Sequence, residues 1–486
     1  MKTLLKIFLF LIIVSNISTI LSQPINWQKL YNGPNRGADL GYGVCQTNDK
    51  NFVLVGSTRT PMFTMYVLKI DQYGDTLWTK IISSSSLVSD IYTVAPAKDG
   101  GCVFSGYSDS AFSIKLDNFG NIIWNKKYQR RNVQCYKIIE TLDSGFIGCG
   151  RIIGEGGYIF KINKNGDFEF DKLFPDEYLA FKSIDIAHNS GYIVCGTIYN
   201  TPVLDTAKAY VLRINKTGDV IWEKRYYELL GLSGKVIKNT GSGYILCGGA
   251  SIYFNPKPTE TLATKYFMKL DTSGNQIYFK EFKTVETQYL GDFQTINKNQ
   301  FLFIGGIDST QTTIITTNGL LTITDSLGNI INERTYQSTR YIELESGIVT
   351  GNNEIIAVGT WGVGPSFNHD DIYAIKTDSN LFANPVVRII NQNSVLPNEF
   401  VLFQNYPNPF NPRTIISYNL PNGLNGIVTL KIFNILGKEI ITLVNEKQNV
   451  GNHSIEFHGD NLPSGIYFYK IQSGIYSDIK KMVLLR

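Results

Sequence analysis

The sequence of 486 residues predicts an all-β protein in two parts, a repeating four-stranded unit followed by a smaller β-sandwich. Three observations predict it. A phrase of the form K-x-D-x-x-G-x-x-x-W-x-K-x-Y, seen most fully in KLDNFGNIIWNKKY at 115–128, returns about every 50 residues. A second phrase, an apolar strand opened by a polar turn and closed by glycine, precedes each copy. The repeats stop near residue 383, and from 400 onward alternating strands are separated by Pro, Asn and Gly turns. Composition agrees, since 28 Tyr, 28 Phe and 44 Gly beside only 18% charged residues suit short strands and tight turns better than helices.

At the start of the chain, Lys2 and Lys6 precede an apolar core from Ile7 to Val14 and a small-residue exit near Ser22. This is the pattern of a secretory signal peptide over 1–22. Its apolar core is shorter than the ~20 residues that span a bilayer, and no other stretch is long enough, so no integral membrane segment is expected after cleavage. Cleavage lowers the formal charge from +4 to about +2 and leaves no block of like charge, which argues against nucleic acid as a partner.

The first phrase reads as a hairpin: strand, tight turn, strand. Its copies lie at 69–81, 161–174, 213–226 and 269–282, with a worn copy at 323–336 and a half copy at 375–382. The second phrase occurs seven times, at 49–56, 99–106, 143–150, 189–196, 241–248, 298–305 and 352–359, each with a weaker strand upstream. Four strands in about 50 residues is the scale of a β-propeller blade. The ends choose a closed ring over an open stack. The seventh unit lacks its W-x-K-x-Y strand, while Trp27-Gln28-Lys29-Leu30-Tyr31 is such a strand with no unit before it. Residues 23–383 are therefore predicted to form a seven-bladed β-propeller closed by its N-terminal strand, a monomer with no exposed sheet edge. Cys149, Cys195 and Cys247 fall at one repeat position, which favours buried free thiols over disulfides.

The Asp/Asn and Gly turns gather on one regular face, and the loops of variable length lie on the other. Long irregular loops on a rigid scaffold are where binding concentrates. Trp361, Phe367, Tyr253 and Phe254 in the longest loops are the predicted ligand contacts, with Arg130 and Arg131 on an inter-blade loop. No catalytic, cofactor or metal residues are assigned. His369-Asp370-Asp371 offers three metal ligands in one loop, but the reading taken is a solvated turn; Trp27, Trp78, Trp124 and Trp222 are read as structural. No G-x-S-x-G, H-E-x-x-H, C-x-x-C or phosphate-binding glycine loop occurs.

Residues 384–397 read as a linker and 398–486 as an Ig-like β-sandwich. The latter segment closely resembles the C-terminal (type A) sorting domain of type IX secretion cargo from Bacteroidetes-type bacteria. The resemblance rests on YPNPFNP at 406–412, FNILGKEI at 433–440, LPSGIYFYK at 462–470 and KKMVLL at 480–485, with Tyr406, Pro407, Asn408, Pro409, Gly437, Gly465, Tyr467 and Lys481 as its motif positions. It implies Sec export, recognition by the type IX machinery, and release or attachment at the cell surface. The repeats resemble the secreted propellers often found before such domains. They also resemble the repeats of quinone dehydrogenases and the Asp-box of sialidases, but the Asp-to-Trp spacing matches neither. The expected function is a secreted or surface binding or adhesion protein for a glycan, polymer or protein. The alternatives are a polysaccharide hydrolase or lyase with channel-mouth carboxylates, or an assembly scaffold.

Overall fold

A computed structural model describes residues 26–33, 38–59, 63–82, 90–198, 207–226, 232–250, 262–284, 288–309, 316–337, 341–362, 370–384, 386–389, 400–403, 405, 408, 410–421, 427–448, 451–474 and 476–485. The chain divides into two compact units, Met1–Ile390 and Asn391–Arg486.

In the first unit every K-x-D-x-x-G phrase folds as a tight turn, because its acid or amide side chain takes up the amides that the reversing chain leaves unpaired. Asp71 Oδ1 accepts from the N–H of Tyr73 (2.8 Å) and of Asp75 (2.9 Å), and Gly74 supplies the positive φ of +78°. The turns at Asp117, Asn163, Asn215, Asp271 and Asp325 repeat these bonds.

Strand β1 (Trp27–Tyr31) comes first. A sheet follows of β2 (Asp39–Gln46), β3 (Phe52–Arg59), β4 (Phe63–Ile70) and β5 (Thr76–Ile82), then one of β6 (Asp90–Pro96), β7 (Cys102–Tyr107), β8 (Ser110–Leu116) and β9 (Ile122–Arg131). The third holds β10 (Val133–Glu140), β11 (Phe146–Ile152), β12 (Gly156–Ile162) and β13 (Phe168–Phe174). The fourth holds β14 (Leu179–Ile186), β15 (Tyr192–Ile198), β16 (Lys208–Ile214) and β17 (Val220–Tyr226). The fifth holds β18 (Leu232–Asn239), β19 (Tyr244–Ala250), β20 (Leu262–Leu270) and β21 (Gln276–Thr284), and the sixth β22 (Gln288–Asn297), β23 (Gln300–Ser309), β24 (Thr316–Asp325) and β25 (Ile330–Tyr336). The last contains β26 (Tyr341–Val349), β27 (Ile355–Gly362), β28 (Asp371–Thr377) and, in addition, β29 (Val386–Ile389). Each of the first six sheets is an antiparallel meander; a single residue pair, Gln134 with Tyr107, links the second and third.

In the last sheet the order is β26-β27-β28-β1-β29. Strand β1 runs antiparallel to β28, with Trp27 opposite Lys376 and Tyr31 opposite Ile372. Residues 386–389 lie within the segment read as linker, yet they form β29 and pair parallel to β1. The reason is that β1 leaves an unpaired edge for the chain to occupy.

The middle strands are buried along their whole length, as β12 and β15 show, because each sheet packs against a neighbour on both faces. Phe104 and Ile114 of the second sheet share a core with Val53 and Val67 of the first. The same holds for each successive pair, and Trp27, Tyr31, Ile356 and Ile372 of the last sheet share one with Phe52, Leu54 and Tyr66 of the first. All six cysteines are unpaired and buried.

The W-x-K-x-Y strand explains its own pattern. All three side chains reach the D-x-x-G turn of the following sheet. Trp27 Nε1 donates to the carbonyl of Gln72 (3.1 Å), Lys29 pairs with Asp75 (2.7 Å) and the Tyr31 hydroxyl donates to the carbonyl of Gly74 (2.8 Å). Trp78 and Lys80 bond Asn118 and Gly120 likewise, as Trp124, Lys126 and Tyr128 do with Lys164, Asp167 and Gly166. The positive-φ glycine matters twice here, since a Cβ on Gly120 or Gly166 would press on the neighbouring indole.

The lysine that opens the phrase is buried and pairs with the acid of the first-to-second turn. Lys69, 2% exposed, meets Asp49 at 2.7 Å, and Lys161, equally buried, meets Asp143 at 2.8 Å and Glu169 at 2.6 Å. Burial alone would raise the Asp49 and Asp143 carboxyls, but the ammonium and hydroxyl donors hold both at about 2. Both are therefore depressed in the folded chain. Their stabilisation is present above the ordinary carboxylate range and is lost as pH falls through about 2. The urea midpoint of the first unit is expected to drop between pH 5 and pH 2, with a smaller drop in Asp49→Asn; an equal drop in that variant would remove Asp49 from the account.

The second unit has two antiparallel sheets. One contains β30 (Val401–Leu402), β31 (Arg413–Leu420) and β34 (Gly451–His458); the other contains β32 (Ile427–Asn434), β33 (Glu439–Lys447), β35 (Gly465–Ser473) and β36 (Tyr476–Leu484), in the order β33-β32-β35-β36. Ile416 and Tyr418 from the first and Leu430, Ile432, Tyr469 and Met482 from the second share one core.

Candidate functional site

The glycine that closes each apolar phrase is the origin of the site. It stands opposite a β-bulge in the first strand of its sheet, where one extra residue is inserted. In the third sheet Cys135 pairs with Gly150 and Lys137 with Cys149, so Tyr136 is left over. A Cβ on Gly150 would run into the carbonyl oxygen of Gln134, and one on Gly56, Gly106, Gly305 or Gly359 would strike the corresponding carbonyl of its own first strand. Only glycine admits the bulged strand.

The leftover residues are Tyr42, Tyr92, Tyr136, Lys182, Lys235, Gly291 and Glu345. All of them line one cavity of about 340 Å³, together with neighbours from the first strand of every sheet. That volume is at the lower end of small-molecule sites.

The bulged residues interact in sequence. Tyr42 meets Tyr92 edge-on, with centroids 5.5 Å apart, and Tyr92 stacks on Tyr136 at 5.9 Å and 12°. The Lys182 ammonium stands 3.7 Å from the centroid of Tyr136. Lys235 reaches past Gly291 to Glu345 at 3.9 Å. Gln134 holds the Tyr136 hydroxyl and Arg151 Nε on one amide oxygen, each at 2.7 Å.

Burial, with Lys235 and Arg151 close by, pulls the Lys182 ammonium down to about 7. Burial, then the charge of Asp90, pushes the Tyr42 and Tyr92 phenols well up, so both stay protonated donors. Glu343, next but one to Glu345, is pushed up to about 7 by burial and by Glu345, against the pull of Lys235. The cavity thus offers aromatic faces, neutral hydroxyls and two lysines, Lys137 and Lys182, that pair with no carboxylate among the described residues.

Tyr stands at three of these seven positions and Lys at two, but no letter runs through all seven. The signal was positional: six of them stand fourteen residues before the closing glycine, and Lys235 thirteen before Gly248.

The residues predicted from the loops are placed differently. Trp361 lies in β27, half-buried against the core shared by the sixth and last sheets. Arg130 and Arg131 end the outer strand β9 rather than sitting on a connection, and Arg130 is held by Asp171 at 2.9 Å. Tyr253, Phe254, Phe367 and His369 lie outside the described residues. Asp370 and Asp371 are buried, not solvated, because the Asp370 carbonyl accepts from Asp39 N–H and its carboxylate from the Tyr341 hydroxyl at 3.2 Å. Among the described residues no group of three His, Cys, Asp or Glu is arranged to hold a metal.

In the second unit the sorting motif works as a clamp on the final strand. Asn408 Oδ1 accepts from Val483 N–H (2.8 Å), and the backbone of Phe410 bonds Val483 and Leu485. The Tyr467 hydroxyl donates to the carbonyl of Pro463 (2.8 Å), and Gly437 takes φ +75° in the turn capped by Asn434. Gly465 is half-buried and opens β35, and Lys481 is exposed. Tyr406, Pro407 and Pro409 lie outside the described residues.

Residues 404–485 match the family model of the secretion system C-terminal sorting domain. A tail of this kind marks its carrier as cargo of the type IX secretion system, released or held at the cell surface. No curated protein matches the chain. Among solved structures, PorZ, an essential bacterial surface component of the type IX secretion system of Porphyromonas gingivalis, is similar at 10% identity and a TM-score of 0.40. That match covers 90% of this chain and 58% of PorZ. The β-propeller domain of the Trilobed protease from Pyrococcus furiosus aligns at 11% identity and a TM-score of 0.42, over 71% of this chain and all of that one.

Proposed function

We propose that this chain is a secreted or cell-surface binding protein, exported through the type IX secretion system by an Ig-like, type A sorting domain, whose first unit is a seven-bladed β-propeller closed by its N-terminal strand. The match of residues 404–485 to the sorting-domain family carries the export half. The ring reading is supported by the pairing of β1 with β28 and by the core between the last and first sheets. The binding half is supported by one cavity that draws residues from the first strand of every sheet. The ligand is a glycan, polymer or protein outside the cell, with the bulged residues as the inner site and Trp361, Tyr253, Phe254, Phe367, Arg130 and Arg131 as outer contacts.

Deleting residues 398–486 in the native host tests export. The expected result is accumulation of the first unit in the periplasm and its loss from the surface and medium, read by fractionation and immunoblotting. Unchanged release would refute the export half. A second reading, hydrolysis or lysis of a polysaccharide, is favoured by the raised carboxyl of Glu343 beside Glu345 and Asp308. It requires Glu343→Gln to abolish a polysaccharide-cleaving activity of the purified chain while leaving binding in place.

A further inference from the structure

In the cavity the bulged charges balance with one exception. Lys235 and Glu345 neutralise each other, whereas Lys182 has no hydrogen bond and no ion pair among the described residues. Its side chain is half-buried, and the ammonium stands over the Tyr136 ring with the cations Lys235 and Arg151 close by. A cation so placed carries a desolvation cost that one aromatic face offsets only in part. Beside it, the hydroxyls of Tyr42 and Tyr92 make no hydrogen bond among the described residues, and both phenols line the same space.

We propose that the cavity binds an acidic sugar, a pyranose bearing one carboxylate, with the carboxylate on Lys182 and the sugar ring against Tyr42 and Tyr92. Three features select this class. The lining lysines Lys137, Lys182 and Lys235 outnumber the carboxylates Asp292 and Glu345 by one, which calls for a monoanion, and Glu345 repels a second negative charge. A cavity of about 340 Å³ is far too large for an inorganic anion alone. Phenol rings with unused hydroxyls suit a ligand that has apolar C–H faces and alternating hydroxyls. The inference rests on the reading of the first unit as a binding module and names the ligand class of its inner site.

The pH dependence has a definite sign. Facing Lys182 are Cys149 and Arg151 of β11, Tyr136 of β10, Lys235 of β18 and Glu345 of β26. As pH rises through about 7, Lys182 loses its proton and Glu343 gains its charge, and both changes disfavour an anion. Affinity should therefore be higher at pH 6 than at pH 9.

The test is isothermal titration calorimetry on the mature full chain with D-glucuronate, D-glucose and inorganic phosphate. Glucuronate is expected to bind at least tenfold more tightly than glucose or phosphate, and more weakly at pH 9 than at pH 6. Lys182→Met is expected to lose at least tenfold in glucuronate affinity with an unchanged or higher melting temperature, and Lys182→Arg to regain part of it. Glucose binding as well as glucuronate would overturn the acidic-sugar assignment while leaving a sugar-binding module. Phosphate binding as well as glucuronate would reduce the site to an anion site and overturn it too. Undiminished binding in Lys182→Met would remove the cavity from the account. The export experiment is indifferent to all three results, so the two readings fail separately.

Discussion

Deleting residues 26–33 is expected to unfold the first unit, although it removes fewer than ten residues from a unit that extends to Ile390. Strand β1 does five things at once. It pairs with β28 along five residues, and it offers β29 its other edge. Trp27 and Tyr31 are buried in the core between the last and first sheets. Lys29 and the Tyr31 hydroxyl grip the turn at Gly74 and Asp75. Gln28, finally, accepts from the Tyr373 hydroxyl at 2.7 Å and donates to the carbonyl of Asn384 at 2.9 Å.

Without the strand, β28 is an open edge and the first sheet loses Trp27 and Tyr31 from one packed face. Tyr31→Ala alone removes a fully buried ring and should cost about 3–5 kcal/mol. For the deletion, circular dichroism is expected to show no cooperative melt, and limited proteolysis to cut throughout residues 38–384. Moving residues 24–33 to follow Asn384 should restore the melt, because position in space matters here and chain order does not. A deletion variant that melts within a few degrees of the intact chain would show that the strand is an appendage.

The second large effect is expected at the glycine opposite the bulge. Gly150→Val should destabilise the first unit by at least ~3 kcal/mol, toward the upper end for a single substitution. Its Cβ would occupy the space of the Gln134 carbonyl, a backbone atom that cannot rotate away. Relief requires the bulge to straighten, and straightening returns Tyr136 to an ordinary strand position, away from the cavity. The same variant should therefore weaken any ligand held by the Tyr92–Tyr136 stack. Gly351→Ala is the control, since a Cβ there meets nothing within 4 Å, and its effect should stay within about 0.5 kcal/mol. Equal melting temperatures for Gly150→Val and Gly351→Ala would sink the bulge argument.

Much of this was legible because it is local. The D-x-x-G turns, the W-x-K-x-Y strands and the closing glycines each encode a bond made within a few residues or with the next sheet, and such bonds recur with the period of the chain. What a single stretch does not carry is what burial or a pairing partner decides. Asp370 and Asp371 look like a solvated turn until Asp39 and Tyr341 meet Asp370. Residues 386–389 look like a linker until an unpaired edge takes them up. Arg130 looks like a loop residue because nothing in its neighbourhood announces that β9 continues to Arg131.

The sequence by itself determined the all-β class, the repeated four-strand unit, the unpaired strand at Trp27 and the sorting tail, since each is a pattern among near neighbours or a motif read in one stretch. Only the tertiary structure decided what lines the cavity. Its seven bulged residues are some 50 positions apart, and they share a register position but no one letter throughout: Tyr42, Tyr92, Tyr136, Lys182, Lys235, Gly291 and Glu345. A repeat search is blind to positions that vary. They acquire a common environment only when seven first strands turn the same bulge toward one space, and that convergence is a property of packing between sheets.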